Sequence, residues 1–196
     1  MDSIHPWTEA RTLTGFGHCV ALWLEGSISH MPTRAYCASV SAETAPIVPL
    51  LARLNRSGKF ITQYSQPSCT PDNTEYVGSM PLQRAALQGF VPATAIRQVC
   101  RLLISLDDVE FKVADPGSSS RRSRQLVSKK GNRNITWFGN VLSPAEIAEN
   151  YGGTGASDCP GLQQAVIRAL QSAYQVSFFD GKWGRNVLWP ALEELI

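Results

Sequence analysis

A chain of 196 residues, 43% hydrophobic and 17% charged, has the balance of a globular domain with a substantial core, not of a disordered segment. A formal net charge of +2 does not by itself argue for nucleic acid. No apolar run approaches the roughly 18–20 residues of a membrane-spanning helix. The opening residues 1–7 carry Asp2 and His5 and lack the basic-then-apolar order of a secretory signal, so a cytoplasmic protein without membrane contact is expected.

In chain order, the spacing of Phe16, Val20, Trp23 and Leu24 predicts a helix over 7–25, stopped at Gly26. Irregular structure follows over 27–42. A second helix is expected over 44–57, with Ile47, Leu50, Leu51 and Leu54 on one face. Pro46 and Pro49 should make its first turn ragged. A strand is expected over 60–64, a Ser-, Pro-, Asn- and Gly-rich loop over 65–81, and another strand over 83–90. A third helix fits 93–105. The alternation of Val109–Ala114 is that of a half-buried strand.

Residues 116–133 change character and read as a flexible basic loop. The alternative is an RNA or phosphate contact through Arg121, Arg122, Lys129 and Lys130. Aromatic side chains that could stack on bases are absent within this stretch, so nucleic acid is not expected as a partner. A short strand is predicted over 135–138. Ser143-Pro144-Ala145-Glu146 has the order of a capped helix start. A helix over 161–174, a strand over 176–180 and a helical close over 187–196 complete the pattern. Alternating helices and strands without a repeat or linker indicate one α/β-type domain, with a mixed sheet core flanked by helices.

Little in this sequence marks a known chemistry. Cys19, Cys37, Cys69, Cys100 and Cys159 are odd in number and widely spaced, with no C-x-x-C, so neither a disulfide framework nor a metal site is expected. His5, His18 and His30 lack ligand spacing, and His18 beside Cys19 would point away from it on a helix. The glycines at 152, 153 and 155 lack the Lys-Ser/Thr pair of a phosphate-binding loop. The best candidate is Thr62-Gln63-Tyr64-Ser65-Gln66-Pro67, where hydroxyls and amides leave a strand end for a long loop. A turn capped by its own side chains would use the same residues.

Several segments, in order, resemble the C-terminal regulatory domain of eukaryotic methylenetetrahydrofolate reductase. They are Ser41-Ala42-Glu43-Thr44, Leu54-Asn55-Arg56-x-Gly58, Thr62-x-x-Ser65-Gln66-Pro67, Leu82-Gln83-Arg84-Ala85-Ala86-Leu87, Ile135-Thr136-Trp137 and Tyr174-x-Val176-x-x-Phe179-Asp180. The resemblance runs from about residue 9 to 195 and extends to small stand-alone actinobacterial proteins. It implies a domain that binds S-adenosylmethionine (SAM) or S-adenosylhomocysteine (SAH), with no metal. Carried over by position, the implied contacts are Glu43, Thr44, Thr62, Ser65 and Thr136, with Ala42 lending backbone. A further threonine of the family has Thr154 as its nearest counterpart. Tyr64 stands where the family has Asn, and Tyr76-Val77-Gly78 stands where it has a Gly-Trp-Gly loop.

Tyr64 or Trp137 could offer an aromatic face to the sulfonium, although a tryptophan here would otherwise be core. The reductase's catalytic barrel is missing from these 196 residues, so folate reduction is not expected of them. A SAM-responsive module would act on a protein partner or as a homodimer. The alternative is a SAM-consuming transferase or lyase, in which Glu43 or Tyr64 would be the catalytic candidate and Cys69 an outsider.

Overall fold

Thr12 separates two helices where the periodicity alone suggests one. The computed structural model describes residues 6–31, 40–69, 81–120, 124–153 and 160–196. In it, α1 (Pro6–Glu9) ends before Thr12, whose Oγ1 accepts from the Gly15 N–H at 3.0 Å and caps α2 (Leu13–Leu24). The two prolines divide the second predicted helix. A 3₁₀ turn over Ala42–Ile47 contains Pro46 and runs into α3 (Val48–Arg56), which has Pro49 in its first turn. Helices α2 and α3 approach closely at Gly17, where a Cβ would lie 2.5 Å from the Asn55 carbonyl oxygen.

The remaining elements are β1 (Ile61–Gln66), β2 (Leu82–Gln83), β3 (Ala86–Val91), α4 (Ile96–Ser105), β4 (Val109–Ala114), β5 (Gln125–Lys130), β6 (Arg133–Phe138), α5 (Pro144–Tyr151), α6 (Gln164–Gln171), β7 (Tyr174–Asp180) and α7 (Leu188–Leu192). Helices and strands mix as the sequence indicates, but the strands form two sheets, ordered β1-β3-β7-β4 and β2-β5-β6. Their strand pairings are antiparallel throughout.

The single strand predicted over 83–90 is therefore two. At Arg84-Ala85 the chain changes sheet. The Arg84 N–H donates to Val127 O of β5, while Ala85 O accepts from the Asp180 N–H of β7. The loop expected over 116–133 is corrected in a similar way. Its second half is β5, paired with β6 across a two-residue turn in which Gly131 has φ +55°, as the first position of a type II′ turn requires. The polar composition of Ser128, Lys129 and Lys130 hides a strand whose Val127 alone enters the core. Arg121 and Arg122 lie outside the described residues, as do Thr154 and Tyr76-Val77-Gly78. Ser143 caps α5 reciprocally. Its Oγ accepts from the Glu146 N–H at 3.2 Å, and Glu146 Oε2 accepts from the Ser143 N–H at 2.8 Å.

Strand β3 is buried throughout, and β7 almost so. The main core gathers Phe16, Leu51, Phe60, Phe90 and Phe178 between the four-stranded sheet and the helices. A second, small cluster of Ala86, Val127, Phe138 and Phe179 fastens the three-stranded sheet to β3 and β7. No helix among the described residues is long and apolar enough to cross a membrane.

Candidate functional site

Between α2, the 3₁₀ turn, β1, β6 and the end of α5 lies a cavity of about 410 Å³. Strand β1 supplies its floor. A register irregularity against β3 falls between Thr62 and Tyr64, and all five residues from Thr62 to Gln66 reach the wall. Such bulges re-aim side chains that strict alternation would hide. Thr136 and Phe138 face the cavity from β6, and Asn150 and Tyr151 close it from α5.

Three buried side chains hold these walls in place. Asn55, fully buried in α3, accepts the Thr62 N–H at 3.0 Å and donates through Nδ2 to Leu51 O at 2.8 Å and to Thr62 Oγ1 at 2.9 Å. Because Thr62 Oγ1 accepts there, its own proton is free for another acceptor. Gln88 of β3 donates to Gln63 Oε1 at 2.9 Å and to Asn140 O at 3.0 Å, and accepts from the Gly139 N–H at 2.8 Å. It thereby ties β1 to the end of β6. Gln83 donates to Glu43 Oε2 at 3.3 Å and accepts from Gln66 Nε2. The other end of Gln66, its buried Oε1, has no donor among the described residues.

Glu43, Thr44, Thr62, Ser65 and Thr136, expected at one site, share this wall with Tyr64. Ala42 does not. In a 3₁₀ turn residues three apart face the same way, so Ser41 and Thr44 both face the cavity, with their hydroxyls 2.9 Å apart, while Ala42 does not line it. Trp137 is neither core nor wall, since alternation along β6 sends it outward and leaves it 48% exposed. The sequence reading placed Gln66 in its best candidate segment but missed Asn55 as a contributor, although Asn55 sits inside a motif it quotes. Asn150 and Tyr151 carried no signal beyond a helix end.

Electrostatics narrow the chemistry. Burial and then the Glu43 carboxylate push the Cys69 thiol up, so it stays protonated near neutrality and makes a poor base. Burial, with Tyr64 adding to it, pushes the Tyr151 phenol up as well. Tyr151 packs edge-on against Phe16 and Phe90, with ring centroids 5.9 and 6.1 Å away. It acts as a neutral wall. His18 and His30 are exposed and off the site. No group of three His, Cys, Asp or Glu among the described residues could hold a metal ion. The wall thus offers one carboxylate, several hydroxyls, amides, and the rings of Trp23, Tyr64 and Phe138. That set suits a small ligand with a flat ring and many polar atoms.

Residues 2–196 match the family described as a domain of unknown function, DUF6919. The chain belongs to that family. Among curated proteins, none matches it. Membership spans both sheets and every wall of the cavity, so the site lies wholly within the family's domain.

Proposed function

We propose that this domain binds SAM or SAH in the cavity between α2, β1, β6 and α5. The observation that carries the reading is the gathering of Glu43, Thr44, Thr62, Ser65 and Thr136, from separate elements, onto one wall. The resemblance to the reductase regulatory domain implies those residues by position, independently of any cavity. A volume of about 410 Å³ lies within the roughly 300–1,000 Å³ usual for small-ligand sites.

Each polar group has a use. The Glu43 carboxylate accepts from a ribose diol or an ammonium. The free protons of Thr62 and of the Ser41–Thr44 hydroxyl pair donate to adenine nitrogens or a carboxylate. Gln66 Oε1, without a donor among the described residues, accepts an amino group of the ligand. Tyr64, 6.0 Å from Phe138 between ring centroids, offers an aromatic face to the sulfonium. A cytoplasmic location goes with this reading, since SAM is an intracellular metabolite.

The test is a thermal melt with SAM, with SAH and with neither, followed by assay of the SAM sample for breakdown products. Ligand at ~100 times its dissociation constant adds about 2.7 kcal/mol, a rise of roughly 5–11 °C for a chain of this size. A shift with intact SAM supports a binding module. A shift with product formed makes the same cavity catalytic. No shift with either ligand counts against the reading.

A further inference from the structure

The hairpin β5–β6 has a second face that the cavity does not use. From Pro116 to Asn140 the sequence holds six Lys and Arg and no Asp or Glu. Removing those six from the chain's 18 basic residues leaves 12 against 16 acidic ones. The positive charge of this chain is therefore concentrated in one segment, on an otherwise acidic molecule.

Structure then sorts that charge. Arg133, Ile135 and Trp137 alternate onto the outer face of β6, opposite Thr136 and Phe138 on the cavity side. Register places Lys130 across from Arg133 and Leu126 across from Trp137, so these share the outer face, and Arg124 lies two residues before Leu126. Ile135 is 50% exposed and Trp137 48%. Lys129 turns the other way, with its Nζ 4.9 Å from the centre of the Trp183 ring.

Five other described cations meet carboxylates, in the pairs Arg53–Glu193, Arg56–Glu25 and Arg84–Glu110 and in Lys182 and Arg185 with Asp108. Arg124, Lys130 and Arg133 make no ion pair among the described residues, and all three are exposed. Cations alone on an edge strand would be explained as a guard against edge pairing. An exposed tryptophan and isoleucine between them are not, because both work against such a guard.

We propose that the outer face of the β5–β6 hairpin binds single-stranded nucleic acid. The occupant follows from complementarity: phosphates meet Arg124, Lys130 and Arg133, and an unpaired base stacks on Trp137 beside Ile135. A duplex keeps its bases stacked inside and gives Trp137 nothing to stack on. A second copy of this chain would oppose like charges across β6. Composition alone argued against nucleic acid for want of an aromatic residue in the basic stretch. The hairpin supplies one by folding Trp137 back beside it.

The experiment titrates the full chain with a labelled single-stranded oligouridylate at several salt concentrations, with a blunt duplex and with polyglutamate as comparisons. Binding should favour the single strand and weaken steeply with salt. Replacing Arg124, Lys130 and Arg133 together with Ala should flatten the slope of log affinity against log salt by about 2. Trp137→Ala should weaken oligouridylate binding by about fivefold or more, leave polyglutamate unaffected, and be largely rescued by Trp137→Phe. All four side chains are exposed, and unchanged melting temperatures establish that the variants fold. No binding at low salt overturns the proposal. So does equal affinity for polyglutamate with no response to Trp137→Ala, which would instead identify an acidic protein segment as the partner.

Discussion

The two sheets use the same antiparallel pairing for different ends. In the four-stranded sheet, β3 and β7 lie in the middle and bury almost every side chain, one set in the main core with the helices and another, with Ala86 and Phe179, against the three-stranded sheet. In the three-stranded sheet, only Val127 and Phe138 enter the core, and β6 leaves Arg133, Asn134, Ile135 and Trp137 exposed. One sheet is scaffold. The other stands off from it, and the space between becomes a cavity on one side and a free face on the other. Thr136 and Trp137, adjacent in sequence, serve those two surfaces by alternation alone.

Substitutions should separate the sheets by the size and kind of their effects. Phe178→Ala, in the four-stranded sheet, removes a fully buried ring that packs 5.4 Å from Phe60 between centroids. It should cost about 3–5 kcal/mol in chemical denaturation. Trp137→Ala should change stability by no more than about 0.5 kcal/mol. Similar losses from the two would erase the distinction.

The seam between scaffold and cavity is probed by Asn55→Ala. Losing this buried amide leaves the Thr62 N–H without an acceptor and frees the Thr62 side chain. Stability should fall by about 1–3 kcal/mol, with ligand affinity falling too. Loss of stability with unaltered affinity would detach Thr62 from binding. Glu43→Gln should do the reverse, since Glu43 is exposed. Affinity should drop by about 1–3 kcal/mol at unchanged melting temperature.

The smallest effect belongs to the surface. Hydrogen bonds from Lys182 and Arg185, at 2.9 and 2.7 Å, hold the Asp108 carboxyl below its usual range. A depressed folded pKa means the pair stabilises above the ordinary Asp range and that this is lost as pH falls through the folded value. Asp108→Asn should lower stability slightly at neutral pH and flatten the acid limb, the difference from wild type vanishing where Asp108 is protonated. Asn tolerates the φ of +61° there. A large loss at neutral pH would show that Asp108 does more than pair charges.

Local signals were legible where one physical rule acted alone. Val109–Ala114 alternates and forms a strand with those bounds. Ser143 and Glu146 have capping-box spacing and make that box. What escaped depended on distant partners. The change of sheet at Arg84-Ala85 is fixed by Val127 and Asp180, far along the chain. Strand β5 exists because β2 and β6 flank it, not because Ser128, Lys129 and Lys130 favour strands. At the site, the resemblance marked the 3₁₀ turn, β1 and β6. The α5 wall, Asn150 and Tyr151, was invisible because nothing local distinguishes a helix end that faces a cavity from one that faces solvent.

The most direct test of the central claim is equilibrium calorimetry of SAH binding to the wild-type chain and to Glu43→Gln. One saturable site, weakened by about five- to 150-fold in the variant without a change in melting temperature, is the predicted result. A wild-type chain that takes up no SAH or SAM at millimolar concentration, or a variant that binds as tightly as wild type, would contradict the assignment of this cavity.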